Sequence, residues 1–223
     1  MVNKIILTFI GTNFLFLVGG ALLTAFAVVS RNDMEQKTTV SNVANNLLLS
    51  KSPVTATLIN AIFVFATFLT ALPAFILPLN RLFLKLHGWL VVMCATFTMI
   101  IGLILWFDTL KTKANLKTLW GEQPQIDQSL LQMKFNCCGY ANSTSPPFIQ
   151  DSTCTADLVA ATKGGCMTPF TNFSNRFLDL IFTAAFGIVG LDVIHLLSTV
   201  VVIKNRQELE RYRHIDEKIN NGI

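Results

Sequence analysis

Cys137-Cys138-Gly139 lies inside the only long polar stretch of an otherwise apolar chain, and Cys154 and Cys166 follow in the same stretch. Adjacent cysteines do not easily bridge to each other, so Cys137 and Cys138 each need a downstream partner, and two are present. This arithmetic predicts two disulfides and an oxidising compartment, with three connectivities open.

What flanks the stretch decides the class. The chain has 223 residues, 52% of them apolar and 13% charged, and a mean hydropathy of +0.54. That is not the composition of a soluble domain. Between Lys4 and Arg31 lie 26 residues without a charge. A second uncharged run lies between Lys51 and Arg81 and is strongly apolar from Thr57, a third runs from Gly88 to Phe107, and the last, Leu180 to Ile203, is broken only by Asp192 and His195. Each covers the roughly 20 residues a helix needs to cross about 30 Å of hydrocarbon. The expected fold is an all-α integral membrane protein with transmembrane helices at 5–29, 57–79, 88–107 and 180–203. Ala25-Phe26-Ala27 looks like a signal-peptide cleavage site, but the apolar run before it far exceeds the usual h-region of about 7 to 15 residues, so it reads as a span.

Four spans put residues 1–4, the 80–87 connection and the 204–223 tail on one side. Arg81 and Lys85, with Lys204, Arg206, Arg211, Arg213 and Lys218 in the tail, mark that side as cytoplasmic, although Arg31, Lys111 and Lys113 across the membrane dilute the contrast. The cysteines break the tie, because disulfides belong outside. Both termini are then cytoplasmic, 30–56 is a small extracellular loop, and 108–179 is a large disulfide-stapled one. The net charge of +4 reads as membrane anchoring. No basic patch interleaved with aromatics points to nucleic acid.

Within the large loop, Leu110 to Trp120 reads as a helix and Gly121 to Pro124 as a turn. Ile126, Leu130, Met133 and Cys137 then share one face of a second helix, with Gly139 as its natural end. Tyr140 to Lys163 reads as a stapled variable loop. Phe148 and Ile149, beside Pro146-Pro147, either form an exposed partner contact or pack back onto the helices. Asn142-Ser143-Thr144 and Asn172-Phe173-Ser174 are glycosylation acceptors by rule.

Inside the membrane, Asn13, Asp192 and His195 are too polar to face lipid and should point into the bundle. Three readings compete for them: hydrogen-bonding glue between the first and fourth spans, a polar floor for a sterol or other lipid, and an ion or proton path. Gly11, Gly19, Gly20, Ala21 and Ala25 in the first span, and Ala184, Gly187 and Gly190 in the fourth, are candidate close-packing faces. Pro73 and Pro78 should kink the second span. No catalytic or metal-binding motif is present, and His87, His195 and His214 are scattered over different regions, so catalysis is not expected. The tail supports a short helical extension through pairs such as Arg206 with Glu210.

Four spans, a small outer loop, a short inner one and a large outer loop with Cys-Cys-Gly together resemble the tetraspanin family. The resemblance continues in Asn13-Phe14-Leu15-Phe16-Leu17-Val18-Gly19-Gly20, similar to that family's membrane Asn followed by paired glycines. It implies pairing of Cys137 with Cys166 and of Cys138 with Cys154, and it places Asp192 at the acidic position that can line a lipid cavity together with Asn13. It implies a scaffold that gathers other integral membrane proteins and membrane lipids laterally, self-association included, in a plasma, endomembrane or vacuolar membrane. The short loop with four cysteines is similar to fungal tetraspanins of host-penetration structures, the appressoria, which implies a part in polarised growth and pathogenicity. The chain departs from the family in three places. Asp151-Ser152-Thr153-Cys154 stands where Pro-x-Ser-Cys is usual, the third span has no Glu or Gln, and Cys94, a core residue by its position, is the sole remaining cysteine. A reading from another class is a small transporter or channel that uses Asp192 and His195 as an intramembrane titratable pair.

Overall fold

The computed structural model describes residues 2–76 and 82–220. Among these, all regular elements are helices: α1 (Val2–Glu35), α2 (Val43–Lys51), α3 (Val54–Ile76), α4 (Leu82–Leu110), α5 (Thr112–Glu122), α6 (Gln125–Phe135), α7 (Asp157–Lys163) and α8 (Met167–Asn220). Helices α1, α3, α4 and α8 each contain a segment long and apolar enough to cross a membrane, as a multi-pass membrane protein requires. Helix α4 starts at Leu82, so residues 82–87 of the expected connection are helical. Pro78 and Arg81 lie outside the described residues, whereas Pro73 lies inside α3. The tail does extend the last helix, to Asn220.

The chain divides into two compact units: one of residues 1–27, 55–101 and 184–223, the other of 28–54 and 102–183. In the first, the buried positions repeat every seven residues on all four long helices. They are Phe9, Phe16 and Leu23 on α1, Thr57, Val64 and Ala71 on α3, Leu84, Val91 and Thr98 on α4, and Ile188, His195 and Val202 on α8. These side chains meet in layers, such as Phe9 with Ala71, Leu84 and Val202, and Phe16 with Val64, Val91 and Cys94. A seven-residue apolar repeat keeps one seam of a helix facing its neighbours and is the pattern of left-handed bundles. Gly20 permits the closest approach: a Cβ there would sit 2.6 Å from Val64 Cγ1. Gly19 is also buried, where a Cβ would meet Ile188 Cγ2 at 3.4 Å, whereas Gly11, Ala21, Ala25, Ala184, Gly187 and Gly190 of the expected small-residue faces are exposed. Cys94 is buried, as its position suggested.

The second unit has its own core. Val43, Ala44, Leu47 and Leu48 of α2 pack with Leu116, Leu119 and Trp120 of α5, Leu131 of α6, Phe170 of α8, Tyr140, and the Cys137 and Cys166 side chains. Residues 30–56 are thus more than a loop, because α2 supplies a third of the buried cluster's twelve residues. Helix α6 departs from the expected register. It ends at Phe135, capped by Asn136 in the left-handed conformation at φ 51°, so Cys137 lies beyond the helix. The apolar spacing from Ile126 to Cys137 therefore runs past the helix end. Ile126 is 70% exposed, and the buried face carries Leu131 and Gln132. Helix α5 likewise runs through Gly121 to Glu122, leaving the turn to Gln123 and Pro124.

Candidate functional site

Two constellations concentrate the polar and covalent chemistry, one in each unit. In the second unit the disulfides join Cys137 to Cys166 and Cys138 to Cys154, the pairing that the family resemblance implies. Gly139, between the pair and Tyr140, has φ 70°, and a Cβ there would lie 2.2 Å from the Asn142 carbonyl oxygen. Only glycine meets both demands. Backbone bonds then lock the segment to the start of α8: Cys138 N–H donates to Gly164 O, Cys166 N–H to Gly139 O and Met167 N–H to Tyr140 O, at 2.9, 2.9 and 2.8 Å.

Gln132 organises the rest. Fully buried, it accepts from the N–H groups of Gly139 and Ile149 on Oε1, at 3.0 and 3.1 Å, and donates from Nε2 to Ile149 O and Asp151 Oδ2, both at 2.8 Å. Asp151 passes the order on, because its Oδ1 accepts from the N–H groups of Thr153 and Cys154 at 2.7 Å each. This carboxylate thereby positions the Cys154 backbone for its bridge to Cys138. Gln132→Leu keeps the volume but leaves the Gly139 N–H and both Ile149 groups without their partner. A loss of about 2 kcal/mol is expected, read as a lower midpoint in denaturation followed by tryptophan fluorescence. Gln132→Glu is expected to cost at least as much, because it turns a buried carboxylate oxygen toward the Ile149 carbonyl and the Asp151 carboxylate, where Nε2 had donated. Lys134, whose Nζ donates to the Ser41 carbonyl and lies 5.0 Å from the Phe173 ring centroid, is held below the usual lysine range by partial burial. Burial also raises the Tyr140 phenol.

In the first unit the polar side chains form a network that ties all four long helices. His87 of α4 and His195 of α8 face each other with Nε2 to Nε2 at 2.9 Å. His87 Nδ1 lies 3.0 Å from Thr67 O and 3.1 Å from Thr70 Oγ1 on α3, and His195 Nδ1 lies 3.1 Å from Thr12 Oγ1 on α1. A carbonyl only accepts, so His87 carries its proton on Nδ1. With both rings neutral, His195 Nε2–H donates to His87 Nε2, and His195 Nδ1 accepts from the Thr12 hydroxyl. Ser198 Oγ lies 2.7 Å from Thr12 Oγ1 and 2.7 Å from the His195 carbonyl. Phe9 and Phe16 stack on the two faces of the His195 ring with centroids 5.5 and 5.3 Å away. His195 occupies a heptad core position, where a single polar residue with one partner fixes helix register.

No protein-family model, no curated protein and no solved structure matches this chain. Its function must be argued from these residues.

Of the three intramembrane candidates, His195 belongs to the network, while Asn13 and Asp192 are buried with Asn13 Oδ1 and Asp192 Oδ2 lacking a hydrogen-bond partner. Both point inward, at 4% and 2% exposure, and so offer almost no open surface to a lipid in this conformation. His195 pairs with His87, a residue that the scattered placement of the histidines in sequence concealed. Phe148 packs against the Cys138, Cys154 and Ala160 cluster, Ile149 is held at both backbone groups by Gln132, and both residues are half-buried. Asn142 is exposed in the loop, with Oδ1 accepting from Thr144 N and Oγ1. Asn172 is exposed on α8, but the Ser174 of its motif is buried. Among the described residues no three His, Cys, Asp or Glu side chains gather as a metal site.

Proposed function

We propose that this protein is a tetraspanin-type membrane scaffold, with both termini cytoplasmic and the disulfide-bonded unit outside. It works by binding: a rigid bundle and a covalently stapled head hold partner membrane proteins and lipids in lateral patches. The observation that carries the reading is the head itself. Two adjacent cysteines beside an obligatory glycine bridge to Cys166 and Cys154, and the resulting unit lies in sequence between the third and fourth apolar helices. Disulfides of this density suit an oxidising exterior, and the basic tail suits the cytoplasmic face. Asn142 is the favoured glycosylation position, because it is exposed on a loop. A role in fungal host penetration rests on the likeness of the short four-cysteine loop to fungal members alone.

The transporter alternative relied on Asp192 with His195, and the partner of His195 is instead His87. Affinity purification of the full chain from membranes kept in their own lipid, before and after mild crosslinking, separates the two readings. A scaffold is expected to bring other integral membrane proteins with it, to lose them in the Cys138→Ser/Cys154→Ser variant, and to carry no flux in sealed vesicles. Flux that disappears in Asp192→Asn would sink the scaffold reading.

A further inference from the structure

The network around His195 is one proton short when both rings are neutral. From His87 Nε2 to the His195 carbonyl run four contacts: Nε2 to Nε2 at 2.9 Å, His195 Nδ1 to Thr12 Oγ1 at 3.1 Å, Thr12 Oγ1 to Ser198 Oγ at 2.7 Å, and Ser198 Oγ to His195 O at 2.7 Å. Each needs one proton to be a hydrogen bond. The His87 proton is committed to Nδ1 by the Thr67 carbonyl at 3.0 Å, since a carbonyl only accepts and the Thr70 hydroxyl donates to the same oxygen. Neutral His195, Thr12 and Ser198 supply one proton each, three for four contacts. Once Thr12 has donated to His195 Nδ1, Ser198 has a single proton for two oxygens at 2.7 Å, and one of those oxygens faces it with no proton between. The Phe9 carbonyl, 3.1 Å from Thr12 Oγ1, only draws further on the supply.

One more proton, on His195 Nδ1, completes the set. Thr12 then donates to Ser198, and Ser198 to the His195 carbonyl. The 2.9 Å spacing of the two Nε2 atoms suits an N–H···N bond, whereas a metal ion held by both nitrogens at about 2 Å each would spread them to roughly 4 Å. Burial opposes the added charge, since both rings are 0% exposed. Three features answer it. Phe9 and Phe16 lie within 22° and 23° of parallel on the two faces of the His195 ring, and an aromatic face attracts a cation. Every N–H of the charged ring has an acceptor. Asp192, the one buried carboxyl among the described residues, has Oδ2 unpartnered and precedes His195 by one turn of α8, and residues three apart on a helix are neighbours at about 5 to 6 Å between Cβ atoms. The other elements packed there bring no opposing charge. Helices α1 and α3 present the hydroxyls of Thr12, Thr67 and Thr70, α4 adds the buried Cys94 thiol, and the ammonium groups of Lys4, Lys85 and Lys204 are exposed.

We propose that the His87–His195 pair is a proton-binding site that takes up one proton beyond those of the neutral rings, held on His195, donated to His87 and Thr12, and balanced by the Asp192 carboxylate. The bound proton completes the hydrogen-bond chain that ties the four long helices. The inference rests on the geometry of the bundle and not on the scaffold role.

The test follows the ring nitrogens of isotope-labelled histidine by magnetic resonance in the full chain in lipid bilayers, titrated from about pH 8 to about pH 5, either side of the ordinary imidazole range. The His195 ring is expected to pass from one bare nitrogen to none in a one-proton step, while the His87 ring keeps a bare Nε2 throughout. Thr12→Val and Ser198→Ala each leave two contacts served by two protons, so neutral rings suffice. Each should therefore weaken the uptake about tenfold, a shift of about one pH unit, although neither removes an ionisable group. Thr12→Ser should restore the original step, and Asp192→Asn should weaken it by about as much as the hydroxyl variants. A bare nitrogen on both rings down to about pH 5, with the bundle still folded, would overturn the proposal. So would uptake of a proton by each ring, uptake that unfolds the bundle, or a step that neither hydroxyl variant moves. If Thr12→Val does not fold, Ser198→Ala decides alone. Loss of co-purifying membrane proteins would count against the scaffold and leave these ring signals unchanged.

Discussion

His87→Leu is expected to lower the stability of the four-helix bundle by about 3 kcal/mol, measured by reversible unfolding in mixed detergent micelles. Interhelical hydrogen bonds between membrane helices are worth only about 1 to 2 kcal/mol, because the separated helices find other partners. The larger part of the loss comes from what is left behind. His195 keeps its place between Phe9 and Phe16 with an Nε2–H that has lost its acceptor, and a buried unsatisfied donor costs about 1 to 3 kcal/mol. The double variant His87→Leu/His195→Leu removes both polar ends at similar volume, so it should lose less than His87→Leu alone. Thr12 then still has the Phe9 carbonyl at 3.1 Å and Ser198 still has the His195-position carbonyl. A double-variant loss equal to the sum of the His87→Leu and His195→Leu losses would mean that the two rings act independently and that the pair does not set helix register.

The histidine pair marks the limit of what could be read from the sequence. The uncharged runs identified the four long helices because membrane-length apolar segments leave a one-dimensional trace. The cysteine pattern likewise required two bridges, since adjacent cysteines must look elsewhere. His87, by contrast, sits six residues after Arg81 and two after Lys85, where charge suggests a connection between spans. Nothing local reveals a partner 108 residues away. Gln132 was missed for a related reason, since a glutamine in a polar loop reads as surface until its four hydrogen-bond partners are in place. Helix α6 was assigned the wrong face because apolar spacing continued to Cys137 while Asn136 had already ended the helix. Asparagine tolerates the left-handed conformation better than most residues, but its presence before a cysteine pair is a weaker stop signal than the glycine two residues beyond the first cysteine. Heptad packing was obscured in the same way: nearly every position in these helices is apolar, so the buried seam carries little contrast against the outward faces.

Removing the two disulfides separately should give unequal losses, and the inequality tests how the stapled unit is built. In the chain-entropy treatment a bridge is worth more when it closes a longer loop. Separations of 29 residues for Cys137–Cys166 and 16 for Cys138–Cys154 correspond to roughly 3.6 and 3.1 kcal/mol. That difference alone is small. Packing enlarges it, because Cys137 and Cys166 sit among the twelve residues of the unit's main core, whereas Cys138 and Cys154 share a cluster only with Ala160 and Phe148. Cys137→Ser/Cys166→Ser places two hydroxyls in the main core and frees the start of α8 from the end of α6. It is therefore expected to raise hydrogen exchange across α2, α5 and α6 together. Cys138→Ser/Cys154→Ser should raise exchange mainly between Tyr140 and Lys163 while Trp120 stays protected. In the single variant Cys138→Ser, thiol labelling is expected at Cys154 and not at Cys166. If both double variants instead loosen the same short segment, the core around Trp120 is held by apolar packing alone, and the outer bridge contributes as much as the inner one.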